Sequence, residues 1–191
     1  MPSRRPSLFC QALLLLALCL AWDGRAGAGE AGTLSMERSV KAAFLYKFLG
    51  YVEFAPNMPL EAGAPLVVGV LGADDIAAEL GRVTTGRNVN GHPVAVRVMH
   101  EGDGANGLHL LFVAAGETAR AAPLLRAAQQ AGVLTVTESG NGLQAGSVIN
   151  FKLVDDRIRF EISLDAAERS NIKLSSRLLS VAYAVLKNGG T

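Results

Sequence analysis

The side chains of this chain that could do chemistry are few and scattered. Its three histidines, His92, His100 and His109, sit in a turn beside Pro93, at a strand end next to Glu101, and inside an apolar run. None shares the i, i+4 helical spacing of a metal-ligating pair, so surface or internally satisfied roles are expected and no metal. Ser139, Ser175 and Ser176 lack the Gly-x-Ser-x-Gly setting of a nucleophile elbow. Asp155-Asp156 reads as a hairpin tip. Gly140-Asn141-Gly142-Leu143-Gln144-Ala145-Gly146 has the composition of a dinucleotide loop, but such a loop must open a helix. Here Ser147-Val148-Ile149-Asn150-Phe151 follows as a strand, so the loop is structural and no cofactor is expected. An enzyme would need a cleft with a perturbed acid or base; the sequence offers no candidate pair, and the chain is not expected to be an enzyme.

Two constellations point to binding instead. Phe44, Tyr46, Phe48, Tyr51 and Phe54 fall within eleven residues of a chain that is only 6% aromatic. A 3.6-residue period puts Phe44, Phe48 and Tyr51 near one face, as core packing requires, and leaves Tyr46, Lys47 and Phe54 pointing elsewhere. Those three, together with Tyr51 at the end of the core face, are the expected contacts to a partner: Tyr46, Lys47, Tyr51 and Phe54. Near the C-terminus Arg157, Lys173 and Arg177 gather about Ser175, where a helix begins. Helix N-termini favour anions, so Arg157, Lys173, Ser175 and Arg177 are the expected contacts to an anionic ligand.

These residues must be positioned by the elements between them. Apolar residues at Val40, Phe44, Leu45, Phe48, Leu49 and Val52 predict a helix over 36–54, capped at Ser35 and ended by Pro56. Residues 66–71 are wholly apolar, a strand covered on both faces. A helix over about 75–83 follows, then turn chemistry at 88–93 and a half-buried strand carrying Val94, Val96 and Val98. Strands at 108–113 and 133–137 flank a helix over 117–131. Residues 148–153 and 158–162 alternate as a β-hairpin, with Ile149, Phe151 and Leu153 opposite Ile162, Phe160 and Ile158. Asp165 and Glu168 have capping-box spacing before a short helix. Ser175 or Ser176 caps a last helix, striped by Leu178, Leu179, Ala182, Val185 and Leu186. Strands alternating with helices imply an α/β, three-layer sandwich with a mixed, mainly parallel sheet, an N-terminal helix, and a C-terminal β-hairpin plus helices.

The front of the chain has a different purpose. Arg4 and Arg5 precede about a dozen apolar residues, and Ala26-Gly27-Ala28 supplies the small residues of a peptidase site. Residues 1–28 read as a cleaved signal peptide, 29–35 as a flexible lead-in and 36–187 as a single domain. The segment to residue 28 holds three of the 18 basic and one of the 17 acidic side chains, leaving 15 and 16, a net charge of −1. Nothing there favours nucleic acid, which needs a clustered basic face. The only cysteines, Cys10 and Cys19, lie in the signal, so the exported protein must be held by packing alone.

Seven segments in register carry a resemblance. Val40-Lys41-Ala42-Ala43-Phe44-Leu45-Tyr46-Lys47-Phe48 with Tyr51-Val52-Glu53-Phe54 resembles the opening helix of the YfiR family (DUF4154). Gly91-His92-Pro93-Val94, Leu108 to Val113, Val133 to Thr137, Gly146 to Phe151, Arg159 to Ala167 and Ser175-Ser176-Arg177-Leu178-Leu179 resemble its later segments in order, over about 36–187. The resemblance implies a periplasmic α/β regulator without catalytic activity. It further implies a membrane signalling protein as partner, a diguanylate cyclase held inactive through its periplasmic region, so that cyclic di-GMP and biofilm formation fall. A homodimer and a small-molecule effector belong to the same expectation. The alternative is a periplasmic small-molecule carrier or transport accessory with no cyclase partner. Many members of the family carry a cysteine where Leu108 stands here, so disulfide-based sensing does not carry over.

Overall fold

A computed structural model describes residues 27–54 and 60–187. The signal-peptide reading of residues 1–28 falls almost wholly outside the described residues. The chain divides into two compact units, 1–36 and 37–191. Within the described residues the first unit contributes the opening turns of helix α1 (Gly27–Leu49), and the second holds the rest of α1 and every later element. Residues 29–35, read as a flexible lead-in, are helical. Helix α1 also stops short of residue 54. Gly50 is a poor helix former, and Val52–Glu53 leave the helix as strand β1.

The elements after β1 are β2 (Leu66–Leu71), α2 (Asp74–Thr84), β3 (Asn88–Val89), β4 (His92–Met99), β5 (Leu110–Val113), α3 (Ala122–Gln130), β6 (Leu134–Thr137), β7 (Ile149–Val154), β8 (Arg157–Ser163), α4 (Leu164–Arg169), β9 (Lys173–Leu174), α5 (Ser176–Val181) and β10 (Ala184–Leu186). Eight strands form one sheet in the order β10-β8-β7-β6-β5-β2-β4-β3, while β1 and β9 pair antiparallel in a small ladder. Strands β4, β2, β5, β6 and β7 run parallel, with β8 antiparallel to β7 and β10 parallel to β8. The mixed, mainly parallel sheet is as expected.

Side chains alternate across each strand, and two apolar cores result. Val68, Val70, Leu110, Phe112, Val136, Ile149, Phe151 and Ile162 pack under α1 and α2. Leu71, Leu111 and Val113 pack on the other face under Leu125 and Ala128 of α3. Helices thus cover both faces, the three-layer arrangement.

Three local readings are corrected. Helix α3 begins at Ala122 rather than 117, because Pro123 lacks an N–H and suits only the first turn. Helix α4 is capped by Ser163, whose hydroxyl accepts from the Ala166 N–H at 3.2 Å, and not by Asp165. The last helix ends at Val181; Val185 and Leu186, read as part of its stripe, belong to β10, whose residues pair with 161–163 of β8. The hairpin register is as read: Ile149 opposes Ile162, Phe151 opposes Phe160, and Leu153 opposes Ile158. Asp155 and Asp156 take φ of 48° and 56°, the left-handed pair that a two-residue hairpin turn demands.

Two buried polar features tie the layers together. In the 139–147 loop, Gly142 lies against a network in which the Thr137 hydroxyl bonds to Asn150 Oδ1 and Ser147 Oγ, each at 2.8 Å. A Cβ at 142 would drive into Thr137 Oγ1 and Asn150 Oδ1. Lys41 of α1 is 9% exposed and places its ammonium 2.5 Å from both Glu37 and Glu138. Burial alone would lower its pKa, but the hydrogen bonds and charges of Glu138 and Glu37 outweigh that and hold it above the ordinary 10.5.

Gly142→Ala should lose about 1–3 kcal/mol in urea unfolding at neutral pH, the usual cost of overpacking; an unchanged midpoint would mean that the network yields freely. A folded pKa raised above its unfolded value gives stability that is whole below the unfolded pKa and lost as pH climbs through the folded one. The melting temperature should therefore fall more steeply from about pH 10 to about pH 11.5 in the parent chain than in Lys41→Met.

Candidate functional site

Strands this short do not settle side-chain positions alone; the β1–β9 ladder does. Val52 pairs with Leu174 and Glu53 with Lys173, and the Ser175 N–H donates to the Tyr51 carbonyl at 2.9 Å. This clasp brings the end of α1 beside the start of α5. Between them lies a groove of about 440 Å³ lined by Phe44, Lys47, Phe48, Tyr51, Phe160, Arg177, Leu178, Ser180 and Val181.

Its floor is aromatic. Phe48 meets Phe160 edge to face at 5.1 Å, Phe44 meets Phe160 the same way at 5.5 Å, and Phe44 stacks on Phe48 at 5.8 Å. Phe48 is 1% exposed and Phe160 2%. Val181 stands 63% exposed at the mouth, and Lys47 and Arg177 are exposed beside it. Neither cation has a carboxylate within ion-pair distance among the described residues. The groove can therefore take an apolar side chain or ring and meet an anionic group at its rim.

The expected partner contacts divide in two. Lys47 and Tyr51 line the groove. Tyr46 donates its hydroxyl to the Asn88 carbonyl at 3.1 Å and carries Arg87 over its ring, while Phe54 packs edge to face on His109 at 5.6 Å. Both rings serve internal packing. The expected anion contacts also separate. Only Arg177 reaches the groove. The Ser175 hydroxyl accepts from the Leu178 N–H at 3.3 Å as the cap of α5, Lys173 faces Glu53 at 3.6 Å, and Arg157 opens β8 beside the hairpin turn. Sequence reasoning assigned Phe44 and Phe48 to the core and did not see that one edge of their cluster stays open.

Other locations hold less. In doubly wound sheets the crevice at the carboxyl ends of neighbouring strands takes ligands. Here a Cβ on Gly72, which follows β2, would lie 2.5 Å from Glu117 Cγ, so Glu117 fills that crevice. Beside it a depression of about 480 Å³ is lined partly by His100, Asp103, Glu117 and Arg120. Arg120 pairs with Glu117 at 3.0 Å, and Asp103 accepts from the His100 backbone N–H at 2.8 Å. His92 Nδ1 lies 2.9 Å from the Ala64 carbonyl, and His109 Nδ1 accepts from the Val67 N–H at 3.0 Å. Among the described residues no three His, Asp or Glu side chains are grouped to hold a metal.

The chain belongs to the YfiR/HmsC-like family (DUF4154), whose model matches residues 38–183, from within α1 to the residue before β10. No curated protein matches it in sequence. Its fold is similar to the crystal structure of a conserved domain protein from Vibrio cholerae O1 biovar El Tor, with a TM-score of 0.55 and 12% identity. That match covers 78% of this chain and 60% of the other, and it speaks to fold alone.

Burial, with a smaller contribution from the charge of His92, pushes the pKa of His109 below the ordinary 6.5. Since the folded value lies below the unfolded one, its contribution is whole above about pH 6.5 and drains away as pH falls from there to the folded value. The melting temperature should drop on acidification from about pH 7 to about pH 5, and the drop should shrink in His109→Gln. An identical pH profile for the variant would remove His109 from the account.

Proposed function

We propose that this chain is a periplasmic regulator of cyclic di-GMP signalling. It holds an inner-membrane diguanylate cyclase inactive by binding the cyclase's periplasmic region in the groove between α1 and α5. Membership of the YfiR/HmsC-like family supports the signalling role. The observation that carries the binding role is the groove itself, an open aromatic floor with Lys47 and Arg177 at its rim, neither in an ion pair among the described residues. Repression requires only differential affinity: a chain that binds the inactive conformation of its partner more tightly shifts the partner's population toward that state. The family is regulatory rather than catalytic. Export fits the apolar N-terminal segment of the sequence, and no helix among the described residues is long and apolar enough to cross a membrane.

Deleting the gene should raise cellular cyclic di-GMP, and the parent chain supplied in trans should restore it. The exposed charge reversals Lys47→Glu and Arg177→Glu should fold normally yet fail to restore it. Together they should weaken binding to the cyclase's periplasmic region by at least about tenfold, or about 1.4 kcal/mol. Unchanged cyclic di-GMP on deletion would overturn repression. It would favour the small-molecule carrier, a reading supported by a groove volume within the ordinary range of ligand sites.

A further inference from the structure

Strand β3 pairs only with His92 and Pro93, so it covers β4 at its start and no further. Beyond that point β2 pairs with 94–99 on the inner side, and among the described residues no strand lies on the outer side. Alternate N–H and C=O groups of such an edge point away from the sheet, a template for an added strand. Val94 and Val96 face the α1 core, and Val98 follows on that face, 39% exposed. Arg97, exposed on the other face, is the one formal charge from 94 to 99. Beside this edge, at the C-terminal turn of α2, lies a hollow of about 510 Å³ lined in part by Gly81, Thr84, Thr85, Arg87, Val94 and Val96. Gly81 stands inside α2, where glycine destabilises a helix relative to alanine. A Cβ there would meet nothing within 4 Å, so close packing does not call for the glycine; its absent side chain keeps the hollow open. Arg87 and Arg97 are both exposed, and neither has a carboxylate within ion-pair distance among the described residues.

We propose that the edge at 94–99 receives an extended acidic segment of another protein as an added strand. Acidic side chains of that segment lie on the face of Arg97. Its β-branched side chains lie on the face of Val96 and Val98, where the hollow takes one of them. Residues opposite one another in a ladder share a face, so a segment alternating in this way matches both faces at once. The arginine decides between occupants. A second copy paired antiparallel about a two-fold axis at 96, 97 or 98 would set Arg97 opposite or diagonal to its own image, and like charges so placed repel. An acidic segment meets the same guanidinium with attraction, and Arg87 extends the positive field along the hollow. This surface shares no lining residue with the groove between α1 and α5, and it lies at the opposite end of the sheet from β8. It therefore stands independently of the regulatory role proposed above.

Two peptides just long enough to span 94–99 serve as probes, one alternating valine with glutamate and the other valine with lysine. In fluorescence anisotropy at low ionic strength, the glutamate peptide should bind the purified chain at least about tenfold more tightly than the lysine peptide. Arg97→Glu should abolish or invert that preference. The bound glutamate peptide should slow amide hydrogen exchange within 94–99. Gly81→Ala should raise the melting temperature by about 2–4 °C. Gly81→Leu should fold as well as the parent yet weaken the glutamate peptide at least about tenfold, because leucine fills the hollow. Lys47→Glu, in the groove, should leave that affinity nearly unchanged. A preference that Arg97→Glu leaves as it was overturns the proposal, and so does failure of both peptides to bind. Loss of binding on Lys47→Glu but not on Gly81→Leu would overturn it too, seating the acidic segment in the groove. A peptide-free chain that dimerises through 94–99 would give the edge to a second copy instead.

Discussion

The packing of four phenylalanines between α1 and the β7–β8 hairpin is the contact on which the molecule depends. Phe44 and Phe48 come from the helix, Phe151 and Phe160 from facing positions of the hairpin, and the ring centroids lie 5.1 to 6.0 Å apart. Phe112 extends the cluster into the parallel strands, 6.2 Å from Phe151. Rings of this size supply most of the burial energy available to a small core, with edge-to-face geometry adding to it. Here they also perform a topological task. The hairpin and α1 are distant in sequence, and the described residues contain no cysteine to join them. Hydrophobic burial holds the first helix to the hairpin, beside the Lys41–Glu138 ion pair and the β1–β9 clasp.

The groove is a consequence of that packing. A cluster that were sealed on every side would be only a core. α5 is six residues long and reaches the cluster with Leu178, leaving Val181 exposed and the edges of Phe44 and Tyr51 uncovered. An interior assembled from aromatic rings is thus open at one margin, and that margin carries the positive charges of Lys47 and Arg177. The same rings specify the fold and present a surface to other molecules, so the two roles cannot be separated by mutating the phenylalanines.

Much of this is legible in the sequence. The wholly apolar run at 66–71 announces a strand buried on both faces, and the hairpin's alternation yields its register to the residue. The misreadings have identifiable causes. Leu178, Leu179, Ala182, Val185 and Leu186 satisfy helical spacing, but a short apolar run is ambiguous, and the open edge of β8 captures its end as β10. Asp165 and Glu168 have the right spacing for a cap, yet Ser163, two residues earlier, stands where the chain turns from strand to helix. Of the candidate site, Lys47, Tyr51 and Arg177 are each visible, but their convergence is not. It rests on a two-residue ladder, which leaves no periodicity to read.

That ladder has a dynamic consequence. Two rungs and one extra hydrogen bond from Ser175 are far fewer than the six paired positions joining β2 to β4. Local opening begins where few bonds are shared and much backbone is near solvent. The seam joining α1 to α5 should therefore breathe well before the sheet does, carrying one wall of the groove with it. A guest that grips both walls would quench this breathing and give up entropy to do so. Its residence time would then be governed by how often the seam parts, as much as by how well it fits the rings beneath.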